Sequence, residues 1–227
     1  MAELFSSSTF DFLDELAANN SRDWFEANKH RYEDEVRSPA LSFIESMAPV
    51  LAEIAPHFRA DARKMGGSLM RVYRDTRFSR DKTPYKTNIG IQFRHESGKD
   101  VHAPGYYVHI SVQEVFLAVG TWHPEAEPLA KIRQHIVDKP ADWVAARDDA
   151  EFRRYFQLDG DSLQRPPKGF PADHPEIDDI KRKDFIAVSE LSTDSVEQPD
   201  FADICREQFV AATPFMRFLC KGVGVPF

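Results

Sequence analysis

GYYVHISVQEVFLAVGT, residues 105–121, is the stretch whose reading decides the fold. Tyr106, Val108, Ile110 and Val112 alternate with Tyr107, His109 and Ser111, and then Val115, Leu117 and Val119 alternate with Phe116, Ala118 and Gly120. A repeat of two sends alternate side chains to opposite faces, so each run reads as a strand with one buried side. The short connection at Gln113-Glu114 favours an antiparallel meander, although this pair is atypical of a two-residue hairpin and leaves the register open.

The same period extends outward in both directions. Ile89, Ile91 and Phe93 give an earlier strand, and Met70 with Val72 gives the first one. The polar, Gly- and Pro-bearing segment from Gly98 to Gly105 has the composition of a hairpin loop. Phe185–Leu191 supplies a fifth candidate.

At both ends of the chain the period changes to that of a helix. Thr9 reads as an N-cap ahead of Phe12, Leu13, Leu16 and Ala17, and Asn19-Asn20-Ser21 breaks that stripe and caps another carrying Trp24, Phe25 and Tyr32. Ser38-Pro39 opens a third, with Pro49 expected to kink or restart it and Pro56 to close it. Beyond Trp122, Pro124, Pro140 and Pro199 each start a helical segment, separated by a Pro- and Gly-rich loop over residues 159–175. The pattern predicts a single α+β domain over residues 1–227, an antiparallel sheet of four to five strands flanked by helices at both chain ends.

Bulk properties narrow the functional classes. The 227 residues carry a net charge of −8, which argues against a surface that binds nucleic acid throughout. There is no run of about 18 apolar residues to span a membrane and no basic, apolar leader at the start. The two cysteines, Cys205 and Cys220, fit no metal spacing and read as reduced thiols, giving an expectation of a cytoplasmic protein. No Walker, Rossmann or G-x-S-x-G glycine pattern occurs. His95, His102, His109 and His123 show no metal-ligand spacing, so no metal is expected, and nothing names a cofactor.

One segment departs from the acidic background. Between Arg71 and Lys86 six cations (Arg71, Arg74, Arg77, Arg80, Lys82, Lys86) face two carboxylates (Asp75, Asp81), a net +4 that leaves −12 for the rest. The segment lies between two strand candidates, where a rigid sheet positions a loop for function. Guanidinium forks at Arg71, Arg74 and Arg77, with the Lys86 ammonium, match the oxygens of a phosphate or carboxylate. Crowded cations would favour the tyrosinate of Tyr85, making Tyr85 and Lys82 the candidate acid and base, with Asp75 orienting an arginine or serving as the catalytic carboxylate.

Strand alternation places Tyr107 and His109 on the face away from the helices, as a possible floor beneath this loop. Asn19, Asn20, Arg22 and Trp24 form a second polar-aromatic cluster, and Arg22 would add a cation if it reached the same cleft. The block admits several readings: recognition of an anionic small molecule with or without catalysis, a binding module for RNA or an acidic partner, or an ion-pair network that only pins the loop. Oligomeric state is left open.

Arg71-x-x-Arg74-Asp75-x-Arg77-Phe78 followed by Lys82-x-x-Tyr85 resembles the signature of a widespread bacterial family of unknown function with fungal relatives. The resemblance takes in Asn19-Asn20-x-Arg22-x-Trp24-Phe25, Lys64-Met65-Gly66, Gly105-Tyr106-Tyr107, His174-Pro175 and the closing helix, and so covers essentially the whole chain. It implies a single domain and points to the same block, and it names no substrate.

Overall fold

A computed structural model describes residues 4–97 and 103–227. Six strands form one sheet in the order β1-β2-β3-β4-β6-β5, every neighbouring pair antiparallel. They are β1 Phe58–Arg59, β2 Asn88–His95, β3 Gly105–Ser111, β4 Val115–Thr121, β5 Gln157–Asp159 and β6 Phe185–Leu191. The fold is α+β, with one strand more than the sequence indicates.

Before the sheet come α1 Ser7–Ala18, α2 Arg22–Ala27, the single turn α3 Lys29–Arg31, a π-helical turn Tyr32–Arg37, and α4 Ser38–Ile54. After β4 come α5 Ala126–Asp138, α6 Pro140–Arg147 and α7 Ala150–Tyr155, then α8 Ile177–Ile180, α9 Thr193–Val196, α10 Phe201–Ala211 and α11 Thr213–Val223.

The β3–β4 pair has the expected geometry. Val108 faces Leu117 and Tyr106 faces Val119, all buried, whereas Tyr107, Phe116 and Ala118 on the opposite face are half-buried. Strand β3 stops at Ser111, one residue before Val112, because the Ser111 hydroxyl closes the turn. It accepts from Glu114 N (3.1 Å) and donates to Glu114 O (3.0 Å), standing in for the glycine that a tight hairpin usually requires.

Against the inner face pack buried residues of the helices, among them Phe12, Phe43, Met47, Ile132, Trp143, Phe209 and Phe215. Trp143 is fully buried against Phe185, Phe215 and Phe218, and its indole N–H donates to Asp179 Oδ2 at 2.7 Å, so no polar group is orphaned there. Gly120, at φ +109°, meets the Phe185 carbonyl so closely that a Cβ would lie 2.0 Å from the oxygen. Only glycine lets β4 and β6 approach there.

Three expectations need correction. Met70 and Val72 do not form the first strand. The edge of β2 is paired by β1, and the chain then crosses over in isolated bridges, Leu69 to Ile91 and Tyr73 to Tyr85. Met70 N still donates to Gly90 O (2.9 Å), but by Lys86 N to Val72 O (2.7 Å) and Arg74 N to Pro84 O (2.9 Å) the segment has turned to its own hairpin.

Pro49 neither kinks nor restarts α4, which runs through it. Pro49 and Glu45 are both exposed, so the carbonyl that loses its donor can reach water. Thr9 lies inside α1 rather than capping it, and its buried hydroxyl donates to Glu35 O at 2.7 Å. The loop expected from Gly98, with His102, lies largely outside the described residues.

Candidate functional site

The hairpin spanning Arg71 to Lys86 leans on the start of α2, and Asn20 makes the join. Its side-chain amide donates to Tyr85 O (3.0 Å) and accepts from Tyr85 N (3.1 Å), pairing with the backbone as a strand would. Ser21 caps α2 by accepting from Trp24 N at 3.3 Å. The Asn19–Trp24 cluster therefore reaches the cationic block: Asn20 and Arg22 each line a cleft against it.

The first cleft encloses about 410 Å³ and is lined by Asn20, Arg74, Asp81, Thr83, Tyr85, Lys86, Thr87 and Asn88. The second, about 270 Å³, lies between Arg22 and Glu26 on α2 and Tyr73, Arg74, Thr76 and Pro84 on the hairpin. Arg74 and Tyr85 separate the two.

The charges inside the block divide into spent and unspent. Arg74 donates to Asp81 and to the Thr83 hydroxyl. Arg77 forms a forked pair with Asp75, Nε to Oδ1 at 2.9 Å and NH2 to Oδ2 at 2.6 Å. These guanidinium bonds, with the backbone N–H of Arg77 on Asp75 and of Thr83 on Asp81, hold both carboxyls down at about 2. Lys82 Nζ donates to Thr76 O at 2.8 Å.

Arg71, Arg80 and Lys86 have no carboxylate partner among the described residues. Lys86 is half-buried in the larger cleft, where Met70 Sδ at 4.0 Å is its one side-chain neighbour within bonding range. Burial, and then the nearby Arg71 charge, lower its pKa.

Tyr85 does not offer the tyrosinate expected of it. Its ring turns inward, 2% exposed, and stacks on Phe25 with centroids 4.1 Å apart. Burial, reinforced by Tyr73, raises the phenol above its ordinary value, with Arg22 opposing only weakly. The lysines near it in sequence do not surround it in space. Lys82 and Asp75 line neither cleft.

Tyr107 and His109 share the outer sheet face with Phe116, beside the cleft rather than beneath it. His109 stacks on Phe116 (4.6 Å) and lies 3.3 Å from the Tyr107 hydroxyl, and Asn88, which lines the cleft, reaches His109 Nδ1 at 3.5 Å. Burial lowers the His109 pKa against the pull of Glu114 and raises the Tyr107 phenol to about 12. Tyr107 and Met70 close over Gly90, where a Cβ would lie 2.8 Å from the Tyr107 hydroxyl. Among the described residues no cluster of His, Cys, Asp and Glu is arranged to hold a metal ion, and no helix is long and apolar enough to cross a membrane.

A family model described as conserved hypothetical protein (DUF2461) matches residues 8–218, from the first turn of α1 into α11. The chain belongs to this family. The match spans the helical junction, the cationic hairpin and the whole sheet, and the family description names no activity. No curated protein and no solved structure matches the chain.

Asn20 is the site residue that sequence reasoning placed apart from the block. Its one signal was a polar residue at a helix break, and the contact that gives it meaning lies 65 residues away.

Proposed function

We propose that the cleft between the Asn20 junction and the Arg71–Lys86 hairpin recognises a small phosphate- or carboxylate-bearing molecule. The observation that carries this reading is Lys86, a half-buried ammonium with no ion-pair partner among the described residues, in a cleft large enough for a small ligand whose one carboxylate, Asp81, is taken by Arg74. A half-buried cation left unpaired costs stability, and an anion entering the cleft offsets that cost.

Lys86 is the principal cation, Arg71 adds to the field, and the Asn88 amide and Thr87 hydroxyl lie on the cleft wall as donors. Arg74 is held by Asp81 at the rim, from which its guanidinium can turn to share a ligand oxygen. Tyr85 supports the wall by packing, and His109, itself met by the Tyr107 hydroxyl, contacts Asn88 from the outer face. The role is recognition. Lys82, Tyr85 and Asp75 lack the common cleft that proton transfer between them would need.

The ion-pair reading applies to part of the block. Asp75 with Arg77 and Asp81 with Arg74 pin the hairpin from within. Titration of the whole protein with inorganic phosphate, followed by thermal shift and by chemical-shift changes at Asn88 and Thr87, tests the proposal. Stabilisation that is lost in Lys86→Met and kept in Arg77→Ala supports it; equal responses in both, or none in the parent protein, remove it.

A further inference from the structure

The outward side of the same hairpin presents something the cleft does not use. All eighteen Phe lie in described residues, and Phe78 is the only one among them that is exposed, at 96%. Its ring touches no other ring; the Arg77 guanidinium lies 5.8 Å from its centre.

This exposure does not belong to a slack loop. Arg77 is fastened to Asp75 on one side of Phe78, and on the other Lys82 Nζ closes onto Thr76 O (2.8 Å) and Thr83 N onto Asp81 Oδ1 (2.9 Å). A pinned tip that exposes an apolar ring is pre-organised for contact, because the ordering cost is met before a partner arrives. Arg77 lies beside the ring, and Arg80 and Lys82 follow within four residues of Phe78 on the same exposed stretch of chain; none of the three lines either cleft. Five residues before it, at the stem, Tyr73 is 47% exposed.

We infer that the outer side of the Arg71–Lys86 hairpin binds single-stranded nucleic acid, with an unpaired base stacked on Phe78 and phosphates set against Arg80 and Lys82. Single strands are held in this way, by aromatic faces interleaved with cations, because every base has a π-face and every linkage a charge. Five residues of chain span at most about 18 Å. At a rise of about 3.4 Å per nucleotide, Tyr73 and Phe78 can serve one strand of about five nucleotides.

A duplex offers no open base face to a single projecting ring. A membrane surface favours a group of apolar side chains at one tip, whereas this tip carries Phe78 alone. The +4 of the block within a chain of net −8 confines attraction for a polyanion to this hairpin and makes it strongly dependent on salt.

The inference concerns residues that do not line the phosphate cleft and stands or falls separately. The test is fluorescence anisotropy of labelled oligo-uridine and oligo-thymidine with the full-length protein at low salt. Phe78→Ala is expected to weaken binding on the order of ten-fold, and Phe78→Trp to restore it. Arg80→Ala is expected to reduce the slope of log affinity against log salt by about 0.7. Lys86→Met removes the phosphate response and retains the part of oligonucleotide binding that depends on Phe78. Phe78 is 96% exposed, so Phe78→Ala is expected to melt with the parent protein, and that melting curve is the folding control.

The absence of an anisotropy change at low salt overturns the inference, as does binding that Phe78→Ala leaves unaltered. Binding to phosphatidylserine-containing vesicles that requires Phe78, in a protein indifferent to oligo-uridine, also overturns it and makes the tip a membrane contact.

Discussion

Asn20 holds Tyr85 by both backbone groups, Nδ2 to O at 3.0 Å and N to Oδ1 at 3.1 Å, and this one amide joins the N-terminal helices to the cationic hairpin. Tyr85 is bridged to Tyr73 on one edge, and on the other, where no strand is available, Asn20 takes up its N–H and carbonyl. Removing the amide leaves a donor and an acceptor of a buried residue unmatched. Asn20→Ala is expected to destabilise the fold by about 1–3 kcal/mol in urea unfolding. Asn20→Asp keeps the acceptor but sets a carboxylate against the Tyr85 carbonyl, and is expected to be no better. A cost indistinguishable from zero would mean that water replaces Asn20 without loss.

The stack of Tyr85 on Phe25 separates packing from chemistry. Tyr85→Phe preserves the ring and removes a hydroxyl with no hydrogen-bond partner among the described residues, and is expected to stay within about 0.5 kcal/mol of the parent protein. Tyr85→Ala opens a cavity beside Phe25 and is expected to cost about 3–5 kcal/mol. Phosphate binding should survive the first change. If Tyr85→Phe folds normally and loses binding, the phenol acts in the cleft and the packing account is wrong.

What the sequence made legible follows from where the restraint on each segment comes from. The alternation of Tyr106, Val108 and Ile110 with Tyr107 and His109 is imposed by a sheet with one buried face, so it is written in the residues themselves. Phe58–Arg59 and Gln157–Asp159 are strands only because β2 and β6 offer them an edge, and two or three residues hold no period to read. Met70 and Val72 show the reverse case: they alternate like a strand, yet their carbonyls and amides are divided between β2 and their own hairpin.

The cationic block was legible as an address because charge is counted along the chain. Its internal division was not, since which arginine meets which aspartate depends on the turn of the hairpin. Tyr85 fails for the same reason: neighbouring lysines in sequence say nothing about a ring that points into the core.

Arg74 and Arg77 both meet an exposed aspartate, and only the Arg74 guanidinium is partly enclosed. Arg77 and Asp75 are exposed, so solvent screens the pair and Arg77→Ala is expected to leave the melting temperature unchanged. Arg74 is more enclosed and also serves Thr83 between the two clefts, so Arg74→Ala is expected to lower it by a few degrees.

The carboxyls of Asp75 and Asp81 lie at about 2 in the folded protein, below their unfolded value. What they contribute is therefore complete above the ordinary carboxylate range and lost as pH falls towards about 2. Amide protection factors in the hairpin, followed from neutral pH to pH 2, should fall only at the acid end. A fall already near pH 5 would show that these pairs do not order the loop.

Lys86 provides the pH test of the cleft itself. Its folded pKa is depressed first by burial and then by Arg71, with Arg74 and Asp81 on the same cleft wall. Between that depressed value and the ordinary lysine value the unfolded chain binds more protons than the folded one, so stability rises with pH through the window and is flat below it. A bound anion favours the ammonium and reverses the shift, so phosphate binding in that window is accompanied by proton uptake. Affinity for phosphate is then expected to fall with rising pH earlier than an unperturbed lysine would dictate. Carbon NMR of reductively methylated lysines, with and without phosphate, reads both values directly. Lys86→Met, which keeps the stem and removes the charge, is expected to raise the melting temperature slightly and to abolish the phosphate response, while Lys86→Arg keeps the response. A Lys86 resonance that titrates as an ordinary surface lysine and does not move with phosphate would show that the cleft holds no anion there.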